Sequence, residues 1–158
     1  MSLSETVTRD GIEFTAKGEG TWGELRFLVA SDGSVVAEGM VGGPSSGHFS
    51  ESVVMAPRLE AFIGSAQEFA SRVWGLVDRS HDIRTLQVVV AIPDAQYKSY
   101  SEIEIGSSMS MAMSLPNLVV VPDPPLTVDR DQIGTSEITA MLVAEMKREF
   151  TDSGALQS

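Results

Sequence analysis

The chain has no cysteine among its 158 residues, which excludes disulfides, thiolate nucleophiles and cysteine-held zinc or iron–sulfur centres. Its only histidines are His48 and His81, too few for a histidine-rich metal site within one chain, and no run of carboxylates has the spacing of a calcium-binding loop. No metal and no cofactor are expected. Basic residues are scarce as well: 11 lysines and arginines stand against 22 aspartates and glutamates, a formal charge of −11, and no window gathers them into a patch. Such an acidic surface repels phosphate backbones and anionic headgroups, so neither nucleic acid nor membrane is an expected partner. No stretch approaches the roughly 18 apolar residues of a membrane helix, and residues 1–10 lack the basic start and apolar run of a secretion signal. A soluble, cytoplasmic chain is the expectation.

The strongest pattern present lies between Pro57 and Ile92. Leu59, Phe62, Ile63, Ala66, Phe69, Ala70, Val73, Trp74 and Val77 recur at three- and four-residue steps, which puts them on one broad face of a helix. Arg58, Glu60, Gln67, Glu68, Ser71 and Arg72 fall largely between them, and Pro57 suits a first turn whose amides have no intrahelical partner. Ser80, His81 and Asp82 break the pattern. Leu86, Val88, Val90 and Ile92 then take one face of a strand and Val89 and Ala91 the other, and a strand apolar on both faces belongs inside a sheet. Helix and strand together predict the core, with Phe62 and Trp74 buried against the strand.

Upstream, after a polar start expected to be loose, Ile12, Phe14 and Ala16 alternate with polar residues, and Leu25, Phe27 and Val29 alternate with Glu24, Arg26 and the less polar Leu28. Asp32-Gly33 supplies left-handed residues for a tight turn into a returning strand, 35–41, completing an antiparallel meander. Residues 52–55 suit a short strand. Downstream, half-buried strand structure is expected over 97–105 and 107–115, as one long strand bent at Gly106 or as a hairpin, with a short strand over 118–121 before Pro122, Pro124 and Pro125 stop the sheet. A last helix follows, capped by Thr135 or Ser136, with Ile138, Met141, Leu142, Met146 and Phe150 as its apolar stripe. The fold class that follows is α+β, one domain over 1–158 with 1–10 and 151–158 flexible. Its expected architecture is a two-layer sandwich of about six to seven mainly antiparallel strands with two helices on one face.

Chemistry is harder to find. The glycine- and serine-rich loop from Gly42 to His48 has the composition of an anion cradle but lacks the lysine and glycine spacing of a phosphate-binding loop, and its plain reading is an exposed connector. Ser45, Ser46 and His48 offer a nucleophile and a base, with Asp32 or Asp82 as the orienting acid, yet no nucleophile elbow surrounds either serine. His81-Asp82 sits at the expected end of the first helix and reads as its cap. Met109, Met111 and Met113 could present thioethers to copper(I), but methionine on alternate positions serves better as adaptable packing or as an interface. The reading is therefore a non-enzymatic protein-binding or assembly module, with a second copy of the chain as one partner. Met109, Met111, Met113, Leu118 and Val120 are its candidate interface. The rival is a small-ligand protein or hydrolase working through the Gly42–His48 loop.

Overall fold

The structure, a computed structural model, describes residues 2–17, 24–41, 53–93, 99–101, 119–120 and 125–155. Four strands open the chain: β1 (Ser2–Val7), β2 (Gly11–Lys17), β3 (Glu24–Ala30) and β4 (Val35–Glu38), paired antiparallel in the order β1-β2-β3-β4. This is the expected meander with one strand more. The polar start forms β1, whose side chains from Ser4 to Val7 stay exposed, so the backbone ladder to β2 holds it where no apolar alternation announced it. In the β3–β4 turn only Gly33 is left-handed, at φ 89°, while Asp32 accepts hydrogen bonds from the Ser34 N–H and hydroxyl.

The alternation puts Ile12, Phe14, Phe27, Val29, Val35 and Ala37 on one face of this sheet. Helix α1 (Ala56–Val77) follows β5 (Val53–Met55) and lies across that face. Phe69 of α1 packs between Phe14, at 5.7 Å edge to face, and Phe27, at 4.4 Å, and the Trp74 indole N–H donates to the Gly33 carbonyl at 2.9 Å. On the opposite face Arg26 bridges Glu13 and Glu38, an exposed trio that counts for little beside the core.

The rest of the sheet is broken up. β6 (Thr85–Val88), β7 (Ile92–Pro93), β8 (Ser99–Ser101), β9 (Val119–Val120) and β10 (Leu126–Asp129) form only two-stranded pairs among the described residues: β6 with β10 and β7 with β9 antiparallel, β5 with β8 parallel. The expected single sheet of six to seven strands is thus replaced by one four-stranded sheet and three pairs. Three prolines near 122–125 do not end the strands, since β10 begins at Leu126. Helix α2 (Ser136–Ala155) packs on α1 and against β8 and β9, with Thr135 as its cap through a 3.4 Å bond from the Ile138 N–H.

The second helix corrects the face assigned to the first. Arg58 and Gln67, expected between the apolar positions, are buried, while Val77, expected inside, is 66% exposed. Gln67 faces α2: its amide donates to the Thr139 hydroxyl at 3.0 Å and accepts the Gly134 N–H at 3.1 Å, where Gly134 turns left-handed at φ 84°. A polar side chain is stable there because both ends of its amide are satisfied. Leu59, Ile63, Ala70, Trp74, Val128, Ile133, Ile138, Leu142, Met146 and Phe150 make the core, and Met141 drops out of the expected stripe at 43% exposed.

One buried charge pair joins these parts. Arg130 opens a short 3₁₀ turn (Arg130–Gln132) after β10 and is 9% exposed; its guanidinium pairs with the Asp78 carboxylate and donates to the carbonyls of Trp74, at 2.9 Å, and Asp78, at 3.2 Å. It thereby adds a second, charged donor to carbonyls at the C-terminus of α1 that already accept the main-chain N–H groups of Asp78 and His81. Asp78 in turn accepts the main-chain N–H groups of Asp82 and Ile83, both at 3.1 Å, closing the turn in which His81 is left-handed at φ 57°. Burial pulls the Asp78 carboxyl upward, but those two donors, the Arg130 charge and the Ser80 hydroxyl outweigh it, so its pKa lies below the ordinary carboxylate value.

Two outcomes test this arrangement. Met146→Ala, at a site with no exposure, should cost about 2–5 kcal/mol in denaturant unfolding. Met141→Ala should stay within about 0.5 kcal/mol, and equal effects would take α2 off the core. A carboxyl with a depressed folded pKa contributes stability that is full above the unfolded pKa and is lost as pH falls through the folded value. Asp78→Asn should therefore be less stable than the parent at pH 7, with the gap closing as pH drops from about 5 toward 2. A gap that stays constant over that range would remove Asp78 from the balance.

Candidate functional site

Between β4, α1 and the stretch that runs from β6 to β7 lies a cleft of about 170 Å³. Phe62, Ile63, Ala66, Ala70 and Trp74 of α1 form its floor, Val35 and Ala37 of β4 one wall, and the five consecutive residues from Gln87 to Ala91 the other, with Ile133 and Leu142 closing the base. Phe62 is only half-buried for this reason, whereas Trp74 is enclosed, so the expected burial against the strand holds for the tryptophan alone. Val89, expected to be covered on the second face of an internal strand, is 57% exposed.

Five residues in a row can line one wall only if the strand presents its backbone edge as well as one set of side chains, because successive side chains point to opposite faces. The hydrogen bonds agree. Arg130 N–H donates to the Arg84 carbonyl at 2.9 Å, which makes 84 and 130 a bonded pair; with the register Leu86↔Val128 and Val88↔Leu126, residues 86 and 88 bond to β10 and Gln87 turns its N–H and C=O away from it. The same alternation carried one step further turns Val89 the same way. On the other wall, Ala30 N–H donates to Ser34 C=O at 2.9 Å, so Val36 and Glu38 bond to β3 while Val35 and Ala37 face outward. Val41, of the same parity, gives its carbonyl to the Met55 N–H at 3.1 Å, closing one end of the slot with β5. Among the described residues no strand pairs with the outer edge of β4 or with the free edge of β6.

Among the described residues, the side chains around the cleft carry no ionisable or nucleophilic group. Their polar atoms are those of Gln67 and Trp74, already bonded to Thr139, Gly134 and Gly33, and those of Gln87 at the solvent edge.

The residues singled out from sequence lie elsewhere. Ser45, Ser46 and His48 are outside the described residues, as are Met109, Met111, Met113 and Leu118; Val120 belongs to β9, where its backbone opposes Ile92. Asp32 serves the β3–β4 turn and Asp82 accepts from the Ser80 hydroxyl, each exposed and engaged locally. His81 does not cap the helix with its side chain; Asp78 and Arg130 finish α1. No three histidine, aspartate or glutamate residues gather as a metal site would need among the described residues, and none of their helices is long and apolar enough to cross a membrane. The cleft was not named from sequence: the apolar run 88–91 was present, but which of its edges other strands cover is not written in the run itself.

Compared with protein-family models, curated proteins and solved structures, the chain matches none.

Proposed function

We propose that this chain is a non-enzymatic protein-binding module and that the cleft between β4, α1 and residues 87–91 is its working surface. The observation that supports this most directly is the lining: among the described residues it is a concave apolar space without an ionisable or nucleophilic side chain, bounded by strand edges with which no other described strand pairs. The reading carries with it an acidic, cytoplasmic chain whose charge of −11 turns nucleic acid and anionic membranes away, and whose partners are proteins, a second copy of itself included.

The existence of an open cleft in solution is tested with N-phenyl-1-naphthylamine, a neutral apolar dye, in a Trp22→Phe background where Trp74 is the sole tryptophan. The dye should bind saturably and quench Trp74, and Ala66→Leu, which fills the floor, should weaken it at least about tenfold. Absence of binding, or binding indifferent to Ala66→Leu, would overturn the assignment of this surface. The combined Ser45→Ala, Ser46→Ala, His48→Ala variant should bind the dye as the parent does; a loss confined to that variant would move the site to the Gly42–His48 loop.

A further inference from the structure

We infer that Asp10 is a site of spontaneous covalent modification, isomerising to isoaspartate in the folded chain, and that the product releases β1 from the sheet. Aspartate is followed by glycine twice in the sequence, at 10–11 and 32–33, and such a pair is reactive because no side chain shields the glycine nitrogen from the neighbouring carboxyl. The Gly11 nitrogen attacks Cγ of Asp10; the N–Cγ bond forms as the Cγ–OH bond breaks, and the hydroxyl leaves with the amide proton as water. Water then opens the five-membered succinimide at the former main-chain carbonyl, so that the chain runs on through Cγ. Mass and oxidation state are unchanged, and the main chain is one carbon longer.

The two pairs share a sequence but not a structure. In the β3–β4 turn both reacting groups are occupied: the Gly33 N–H donates to the Ala30 carbonyl at 3.0 Å, and the Asp32 carboxylate accepts the Ser34 N–H at 2.9 Å together with the Ser34 hydroxyl. The Ser34 hydroxyl and N–H hold the Asp32 carboxyl ionised, its pKa below the ordinary carboxylate value, whereas the step that expels water proceeds from the neutral acid. Between β1 and β2 the bend at Arg9 and Asp10 is open. Thr8 donates its N–H and hydroxyl to the Gly11 carbonyl, at 2.8 and 3.1 Å, and the Ser31 N–H donates to the Asp10 carbonyl at 2.9 Å. No bond from the Gly11 N–H closes the bend onto Thr8, and among the described residues no group holds the exposed Asp10 carboxylate. The glycine itself is required, because a Cβ at Gly11 would stand 2.0 Å from the Val29 carbonyl oxygen, so the reactive pair is built into the contact between β2 and β3. A longer main chain at residue 10 disturbs the span between the Thr8–Gly11 and Ser31–Asp10 bonds. β1 has little besides its ladder to hold it, since its side chains from Ser4 to Val7 are exposed.

The full chain is aged at neutral pH and body temperature, in buffer and in concentrated guanidinium chloride, and sampled over weeks. Cleavage after glutamate separates the two pairs into fragments 6–13 and 25–38, where isoaspartate appears as a peak of unchanged mass and altered retention and is assigned by electron-transfer fragmentation. In denaturant the two sites should react within about threefold of each other; in buffer Asp10 should stay within about threefold of that rate, while Asp32 slows at least about tenfold because its turn must open first. Ser34→Ala should speed Asp32 in the folded chain at least about threefold, and no acceleration would overturn the account of why Asp32 is spared. If Asp10 is slowed as far as Asp32, or Asp32 reacts as fast as Asp10 in the folded chain, the assignment of Asp10 is overturned. Hydrogen exchange reads the consequence: the aged parent should lose protection over residues 2–7 and keep it in β3 and β4. Asp10→Glu, whose ring closure would need six members and is slow, should keep protection over 2–7 through the same ageing. Protection retained in a sample whose Asp10 has isomerised, or lost equally in Asp10→Glu, overturns the release of β1 and leaves the modification site standing.

Discussion

The pair between Arg130 and Asp78 is the constraint on which the remaining structure depends. Arg130 opens the short turn that leads into α2, and Asp78 is the first residue after α1, so their contact fixes where one helix stops and the path by which the other begins. Two charges withdrawn from water are tolerable only when paired and hydrogen-bonded, and here the surrounding groups supply those bonds: two carbonyls for the guanidinium, two main-chain amides and a hydroxyl for the carboxylate. The same bonds hold the turn from 78 to 83 and so aim β6. If either partner were missing, the end of α1, the start of β6 and the approach to α2 would each lose an anchor.

A second polar clasp, Gln67 to Thr139 and Gly134, does for the middle of α1 what Arg130 does for its end. Between them the two helices are locked in register, and α1 is left with two working flanks. Phe69 spends one on the four-stranded sheet. The other faces α2 at its base and the cleft above it. The cleft exists because α1 spans from the four-stranded sheet to the β6–β10 pair while the two sheets do not meet among the described residues. Its apolar floor is thus a consequence of the helix bridging two sheets that stand apart among the described residues.

That arrangement bears on function through what faces the space. Catalysis needs groups that exchange protons, donate electron pairs or hold developing charge, and they must converge. The ionisable residues placed by the fold do other work: Asp78 and Arg130 close a helix, Asp32 shapes a turn, and Glu13, Arg26 and Glu38 decorate an outer face. Among the described residues the concave surface offers shape, apolar area and strand edges, the features on which the proposed binding role rests.

Local pattern by itself determined the two helices, the turn at Gly33, the strands from Ile12, Leu25 and Val35 onward, and most of the buried list, because apolar period and turn chemistry are written within a few residues of one another. Leu59, Ile63, Ala70 and Trp74 were readable in that way, as were Ile138, Leu142, Met146 and Phe150. Tertiary structure alone decided the rest. β1 has no apolar alternation and exists through its partner's backbone; Gln67 and Arg130 are polar residues whose burial is allowed by groups 52 or more residues distant in the chain. Val77 and Met141 fit the helical stripe yet stay wet, since no element lies opposite them among the described residues. Whether Val89 is covered, and whether four strands join two more, depends on long-range edges meeting or failing to meet, and no single segment encodes the position of its neighbour.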